Sequence, residues 1–211
     1  MLIDQPVLIA GLTGGLASGK SFVAAALQEL GAHIVEADQL GHEVLARTGC
    51  AYAPVVEAFG TGILHETGEI DRSRLGGIVF SDPAELARLN AIVHPAVHDL
   101  AQQRFAEIAR KDPAAVVIYV AAILVETGGY RQFPYLIVTR CTREQQIERA
   151  MARSGASRAD IEARLARQLP LEQKLALATH VIDTSGTTEE TLRQTKMVYD
   201  DLLERSRQNL S

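Results

Sequence analysis

Residues 7–21 read Val7-Leu8-Ile9-Ala10-Gly11-Leu12-Thr13-Gly14-Gly15-Leu16-Ala17-Ser18-Gly19-Lys20-Ser21. The apolar run 7–12 has the character of a short buried strand, 13–15 is a Gly-rich turn, and 20–30 carries apolar residues at helical spacing. Gly14 to Ser21 fits G-x-x-x-x-G-K-[ST] and lies between the strand and the helix, the setting in which that pattern carries chemistry. Glycines let successive backbone N–H groups curl inward and form an anion nest at the positive end of a helix. Lys20 can reach the β- and γ-phosphates, and the Ser21 hydroxyl is placed to ligate Mg²⁺ bridging those oxygens. Gly14, Gly15, Ala17, Ser18, Gly19, Lys20, Ser21 and Phe22 are therefore the nucleotide-binding candidates, with Ser21 the metal ligand, and the expected ligand is a Mg-nucleoside triphosphate.

Outward from this loop, 33–37 is a second strand candidate, and Asp38 stands where an N-cap would open a helix over 39–47. A βαβα start implies a parallel sheet. From 52 to 111 the pattern is helical, with helices at 84–93 and 96–110 and Pro83 and Pro95 near their starts. Residues 115–120 and 135–139 are β-branched and continuous, as strands buried on both faces should be. Helices follow at 144–153 and 158–169, a short helical stretch reaches 178, 180–182 is a strand, and 188–207 is a final helix. The expected architecture is α/β: a parallel-sheet P-loop NTPase core flanked by helices, all in one domain over 1–211. Its core covers about 1–48, 114–139 and 179–211, with a helical insertion at about 49–113 and an Arg-rich lid at about 140–178.

Composition narrows the partners. The chain has 211 residues, of which 47% are hydrophobic and 22% charged, the range of a soluble globular protein. A formal net charge of -5 argues against a role in coating nucleic acid. The longest apolar run, 114–125, is short of the roughly 20 residues a membrane span needs, and Asp4 and Pro6 interrupt any signal-peptide pattern. Cys50 and Cys141 show no disulfide-framework or zinc spacing and read as small apolar residues, so a reducing cytoplasm is expected. A monomer is the favoured state, with small-molecule partners and neither nucleic acid nor membrane.

Chemistry on a bound triphosphate needs a second group at the carboxyl ends of neighbouring strands. Asp38 follows the second strand, where a carboxylate could deprotonate an acceptor hydroxyl or organise the metal. The plainer reading makes it only an N-cap, and Glu36, turned by strand alternation to the same face, is the competing carboxylate. Arg149 and Arg153 are four apart on one helix face and would repel unless an anion lay between them. From 140 to 174 the local charge balance is +3 against -8 for the remainder. Such a segment could close over a transferring phosphoryl group, or be a solvated helix pair with internal Glu–Arg pairs. His94 and His98 have i, i+4 spacing, but Pro95 stands where H-E-x-x-H needs Glu, which excludes that zinc pattern. No Asn-Lys-x-Asp guanine reader and no LSGGQ-type signature occurs.

Five blocks together resemble the dephospho-CoA kinase family: 12–21, Glu36-Ala37-Asp38, Leu89-Asn90-Ala91-Ile92-Val93-His94-Pro95, Ile123-Leu124-Val125-Glu126, and Val181-Ile182-Asp183-Thr184-Ser185-Gly186. The resemblance covers nearly the whole chain. It implies transfer of the ATP γ-phosphoryl group to the ribose 3'-hydroxyl of dephospho-CoA, giving CoA and ADP. It further implies Asp38 as general base, Arg149 and Arg153 as lid arginines, and His94 and Pro95 in the CoA-binding region. Asp183 to Gly186 become part of the adenine wall, and Thr13 an acceptor contact. Three positions depart from the family pattern: Ala17 where Gly is common, Glu36 where Asp is common, and Ala122 where Pro usually precedes the Leu-Leu-x-Glu turn. The rival readings are another nucleoside or nucleotide kinase and a non-catalytic ATP-binding switch.

Overall fold

The structure, a computed structural model, describes residues 7–208. Five strands, β1 (Leu8–Gly14), β2 (His33–Glu36), β3 (Val116–Val120), β4 (Tyr135–Arg140) and β5 (His180–Asp183), form one parallel sheet in the order β2-β3-β1-β4-β5. The helices are α1 (Lys20–Glu29), α2 (Ala37–Leu45), α3 (Tyr52–Phe59), α4 (Arg72–Val79), α5 (Pro83–Lys111), α6 (Arg143–Ser154), α7 (Arg158–Ala166), α8 (Leu171–Leu175) and α9 (Thr188–Gln208). The chain divides into two compact units, one made of the chain up to Val35 and from Phe105 onward, the other of Glu36–Arg104. Among the described residues no helix is long and apolar enough to cross a membrane.

In the sheet-bearing unit β1 is central and buried along its whole length, as a strand covered on both faces must be. It runs parallel to β3, with Leu8 opposite Val116, and to β4, with Ala10 opposite Tyr135. The strand continues two residues beyond the expected end at 12, because Thr13 and Gly14 still pair with Val138 and Thr139. Alternation turns Leu8, Ala10 and Leu12 to one face, where they meet Val23 and Leu27 of α1 and Val198, Tyr199 and Leu202 of α9. Over the opposite face Phe105 stands edge-on to Tyr119 at 6.0 Å, and Tyr119 stacks on Phe133 at 5.3 Å.

The helical unit has its own core, Val55, Ile63, Ile70, Leu75 and Val79, with Leu86, Leu89, Ile92 and Val93 of α5 packed against it. Two helices expected at 84–93 and 96–110 are one helix of 29 residues with Pro95 inside it. Proline lacks the N–H of one turn and crowds the carbonyl four residues back, but the apolar stripe on either side of Pro95 is continuous and carries the helix through. The strand expected over 33–37 stops at Glu36, since α2 opens at Ala37.

The segment after β4 is punctuated by its caps. Thr142 and Gln145 form a reciprocal capping box at the start of α6, Gly155 ends that helix in the left-handed region, and Ser157 caps α7. The helix expected over 158–169 stops at Ala166, consistent with Pro170 biasing the residue before it away from helical geometry. Arg158 joins α7 to Glu144 of α6 at 2.6 Å and pairs with Glu162 at 3.1 Å. Cys141 is buried, as a small apolar residue should be, but Cys50 is exposed and contributes nothing to a core.

Candidate active site

The phosphate loop spans the turn from β1 to α1. Gly19 takes φ 88°, a left-handed conformation that L side chains rarely adopt, and serves as the N-cap of α1 without any side-chain cap. No acid stands in the first turn, so the donors of that helix end are free of local competition for an anion. Lys20 Nζ donates to the carbonyls of Gly14 at 3.1 Å and Gly15 at 2.9 Å, which holds its charge across the loop. Ser21 and Phe22 are exposed in the first turn of α1.

Two glutamines and a threonine back this loop. Gln146 of α6 donates through Nε2 to the Leu16 carbonyl at 2.9 Å, and Gln168 Oε1 accepts from the Leu16 N–H at 2.9 Å. A Cβ on Gly15 would lie 2.1 Å from Gln146 Nε2, so only glycine admits this approach. Ser18 Oγ donates to the Gly15 carbonyl at 2.9 Å and lies 2.8 Å from Thr139 Oγ1 of β4. Ala17 holds φ 53° and packs with Leu16 against Ile147, Ala150 and Ile161 of α6 and α7.

Beyond β5 the turn expected on the adenine side is tied to the same loop. The Asp183 carboxylate accepts from Arg140 Nε and Nη2 at 2.9 and 2.7 Å, and from Ser185 N and Oγ at 2.9 and 2.6 Å. Burial pushes its pKa up, but the Ser185 and Arg140 hydrogen bonds outweigh that and hold it below the ordinary value. Gly186 leads into the start of α9, where Glu190 Oε2 accepts from Thr187 N at 2.9 Å. Arg149, half-buried, donates to Thr184 Oγ1 at 3.2 Å and to the Thr184 carbonyl at 2.7 Å. Arg153, one turn further along α6, is exposed. The structure thus brings Gly14 through Lys20, Arg149 and the Asp183–Gly186 turn into one connected set.

Asp38, His94 and Pro95 lie in the helical unit. Asp38 is exposed in the first turn of α2; the N-cap is Glu36, and no side chain caps that helix. The capping reading of Asp38 therefore fails. Glu36 Oε2 accepts from Gln39 at 3.2 Å. His94 and Pro95 are exposed on α5.

Thr13, at the end of β1, is fully buried and donates through Oγ1 to the Ala122 carbonyl at 3.3 Å. The same carbonyl is 3.5 Å from Lys174 Nζ, which is itself fully buried and lies 2.5 Å from Glu126 Oε1. Sequence reading missed Gln146, Gln168, Thr139 and the Lys174–Glu126 pair. Glu126 and Lys174 are separated by 48 positions and no local spacing signals their pairing; only the Glu126 block itself carried a signal, through the family resemblance.

Residues 8–190 match the dephospho-CoA kinase family model. The dephospho-CoA kinase of Geobacter sulfurreducens is 46% identical over 191 residues, covering 90% of this chain and 96% of that protein. A solved Thermus thermophilus protein superposes with TM-score 0.81 at 33% identity, over 92% of this chain and 97% of the other. The dephospho-CoA kinase from Campylobacter jejuni shares the fold, with TM-score 0.71 at 22% identity over 94% of this chain and 98% of the other. A phosphate loop with its lysine and serine in place, and a family match that runs through the last strand into α9, lead to one conclusion: the chain belongs to the dephospho-CoA kinase family.

Proposed function

We propose that the chain transfers the γ-phosphoryl group of ATP to the ribose 3'-hydroxyl of dephospho-CoA, giving CoA and ADP, with Asp38 as the general base. The observation that carries this reading is the phosphate loop: uncapped donors at the start of α1, no acid in its first turn, and the Lys20 ammonium held at the loop carbonyls. The triphosphate is bound by the N–H groups of 14–19 and the first turn of α1, and Lys20 moves its charge from those carbonyls to the β,γ-bridge. Ser21 offers an exposed hydroxyl oxygen, the donor type a hard cation takes, so it fits as a ligand for Mg²⁺. Mg²⁺, held there by Ser21, would supply charge neutralisation for the triphosphate. Asp38 takes the proton of the attacking 3'-hydroxyl at a carboxylate oxygen; its failure to cap α2 supports a role other than capping. His94 and Pro95 hold the acceptor, whereas Thr13, fully buried with its hydroxyl on the Ala122 carbonyl, shapes the floor of the loop rather than touching the acceptor, and Arg149 and Arg153 spread the charge of the transferring group. Two free cysteines suit a reducing cytoplasm, where the chain works as a monomer.

The experiment follows ADP release with Mg-ATP and, in parallel, dephospho-CoA, AMP, CMP, adenosine or no acceptor. Dephospho-CoA alone should support rapid turnover, and chelation should abolish it until Mg²⁺ is restored. Turnover with AMP but not with dephospho-CoA would assign a nucleotide kinase instead. Asp38→Asn should lower kcat by about 10²–10⁴-fold, the span of a lost general base, with ATP binding intact.

A further inference from the structure

Thr184 has more partners than a turn residue needs. Its side chain is 5% exposed, and its hydroxyl sits 3.0 Å from the Ser18 carbonyl, 3.1 Å from the Arg140 carbonyl and 3.2 Å from Arg149 Nη1. A hydroxyl has one proton to give and two lone pairs. It therefore accepts from the Arg149 guanidinium and shares its proton between two carbonyls, one of them inside the phosphate loop. Its methyl group packs closely against Gly19, since a Cβ there would stand 2.9 Å from Thr184 Cγ2 and 3.1 Å from its Oγ1. The turn that carries Thr184 is itself fixed: its N–H donates to the Arg140 carbonyl at 2.8 Å, its carbonyl accepts from Arg149 at 2.7 Å, and Gln145 donates to the next carbonyl at 2.8 Å.

The peptide bond is planar and trans, so fixing the Ser18 carbonyl on one side aims the Gly19 N–H to the other, away from Thr184. Gly19 opens α1, and its N–H is one of the donors offered to a triphosphate. We infer that Thr184 is a positioning residue: it couples Arg149 and the turn after β5 to the phosphate loop, presetting the Gly19 N–H for the triphosphate. Arg149 then acts on nucleotide binding in part through Thr184, by polarising the hydroxyl that holds the loop. This inference rests on the reading of the loop as the triphosphate site.

The test measures binding of inorganic tripolyphosphate and of ATP by calorimetry, with steady-state kinetics alongside, in the wild type, Thr184→Val, Thr184→Ser, Arg149→Ala and the Arg149/Thr184 double variant. Thr184→Val keeps the shape and removes the hydroxyl. It should weaken tripolyphosphate binding and raise KM for ATP about tenfold, with kcat changed less than threefold. Thr184→Ser, which keeps the hydroxyl, should stay within about threefold of wild type. In the Thr184→Val background, Arg149→Ala should cost less than it does alone. Wild-type affinity in folded Thr184→Val, failure of Thr184→Ser to rescue, or full additivity of the two substitutions would overturn the coupling. If Thr184→Val yields no folded protein, Thr184→Cys keeps the size and offers only a weak S–H donor, and the same tenfold loss is expected of it. A wild-type protein that binds neither tripolyphosphate nor ATP would instead remove the site reading beneath it.

Discussion

Ala17 is, among the described residues, the one non-glycine with positive φ, at 53°. A left-handed conformation costs an L residue about 1–2 kcal/mol, which a glycine would not bear. The methyl, however, packs into the cluster of Ile147, Ala150 and Ile161, where burial of one such group contributes about 0.8 kcal/mol, and glycine would lose a further ~0.5–1 kcal/mol in chain entropy. Ala17→Gly should therefore change stability in urea by less than about 1 kcal/mol, because the opposing terms are of similar size; a gain above that would mean the methyl contributes nothing. Asp183 gives a pH prediction. Its carboxyl is held below the ordinary value, so its contribution is present above the unfolded pKa of about 3.9 and is lost as the pH falls through the lower folded value. Asp183→Asn should flatten the decline of Tm between pH 5 and 3 relative to wild type. An unchanged acid slope would show the Arg140 and Ser185 contacts to be silent. The two thiols should separate as well: burial pushes the Cys141 thiol up and hides it, while Cys50 is exposed. A thiol reagent under native conditions should modify Cys50 and leave Cys141 untouched until the protein is unfolded, as peptide mass spectrometry would show.

At the scale of elements, what could be read in the sequence was what local pattern controls. The phosphate loop, the order of strands and helices and the break between β5 and α9 are set by short-range residues, and the structure places them within a few positions of expectation. The departures occur where distant packing overrides a local rule. Pro95 reads as a helix start, but the core under Leu89, Ile92 and Val93 carries α5 past it. Restoring the missing N–H with Pro95→Ala should raise stability, by up to ~3 kcal/mol as the upper bound set by a mid-helix proline, seen as a higher Tm. A fall in Tm would show that the helix is built around a bend at Pro95. Asp38 reads as a cap because acids favour that position, yet Ala37 already begins α2. The glutamines that hold Leu16 were illegible for a different reason: they come from 130 and 152 positions away, and nothing local distinguishes a glutamine that will reach a loop from one that will face water.

For the whole molecule the Lys174–Glu126 pair matters most, because it joins α8 to the turn after β3 with one partner fully buried. Removing the lysine leaves a carboxylate in the interior without its counter-charge. Lys174→Met should cost about 3–5 kcal/mol in denaturant unfolding, whereas Lys174→Met with Glu126→Leu should recover most of that loss. If the double variant is no better than the single one, the pair contributes more than mutual neutralisation. The position of β1 has a different consequence, one that concerns synthesis. Both neighbours of this N-terminal strand come from far along the chain, Leu8 pairing with Val116 and Ala10 with Tyr135. On a ribosome adding about 5–20 residues per second, the strand that leads into the phosphate loop emerges roughly 6–25 s before β4 exists to flank it. During that interval the residues between, Glu36–Arg104, can complete their own core, while the nascent β1 lacks its full set of neighbours and is an apolar segment open to aggregation.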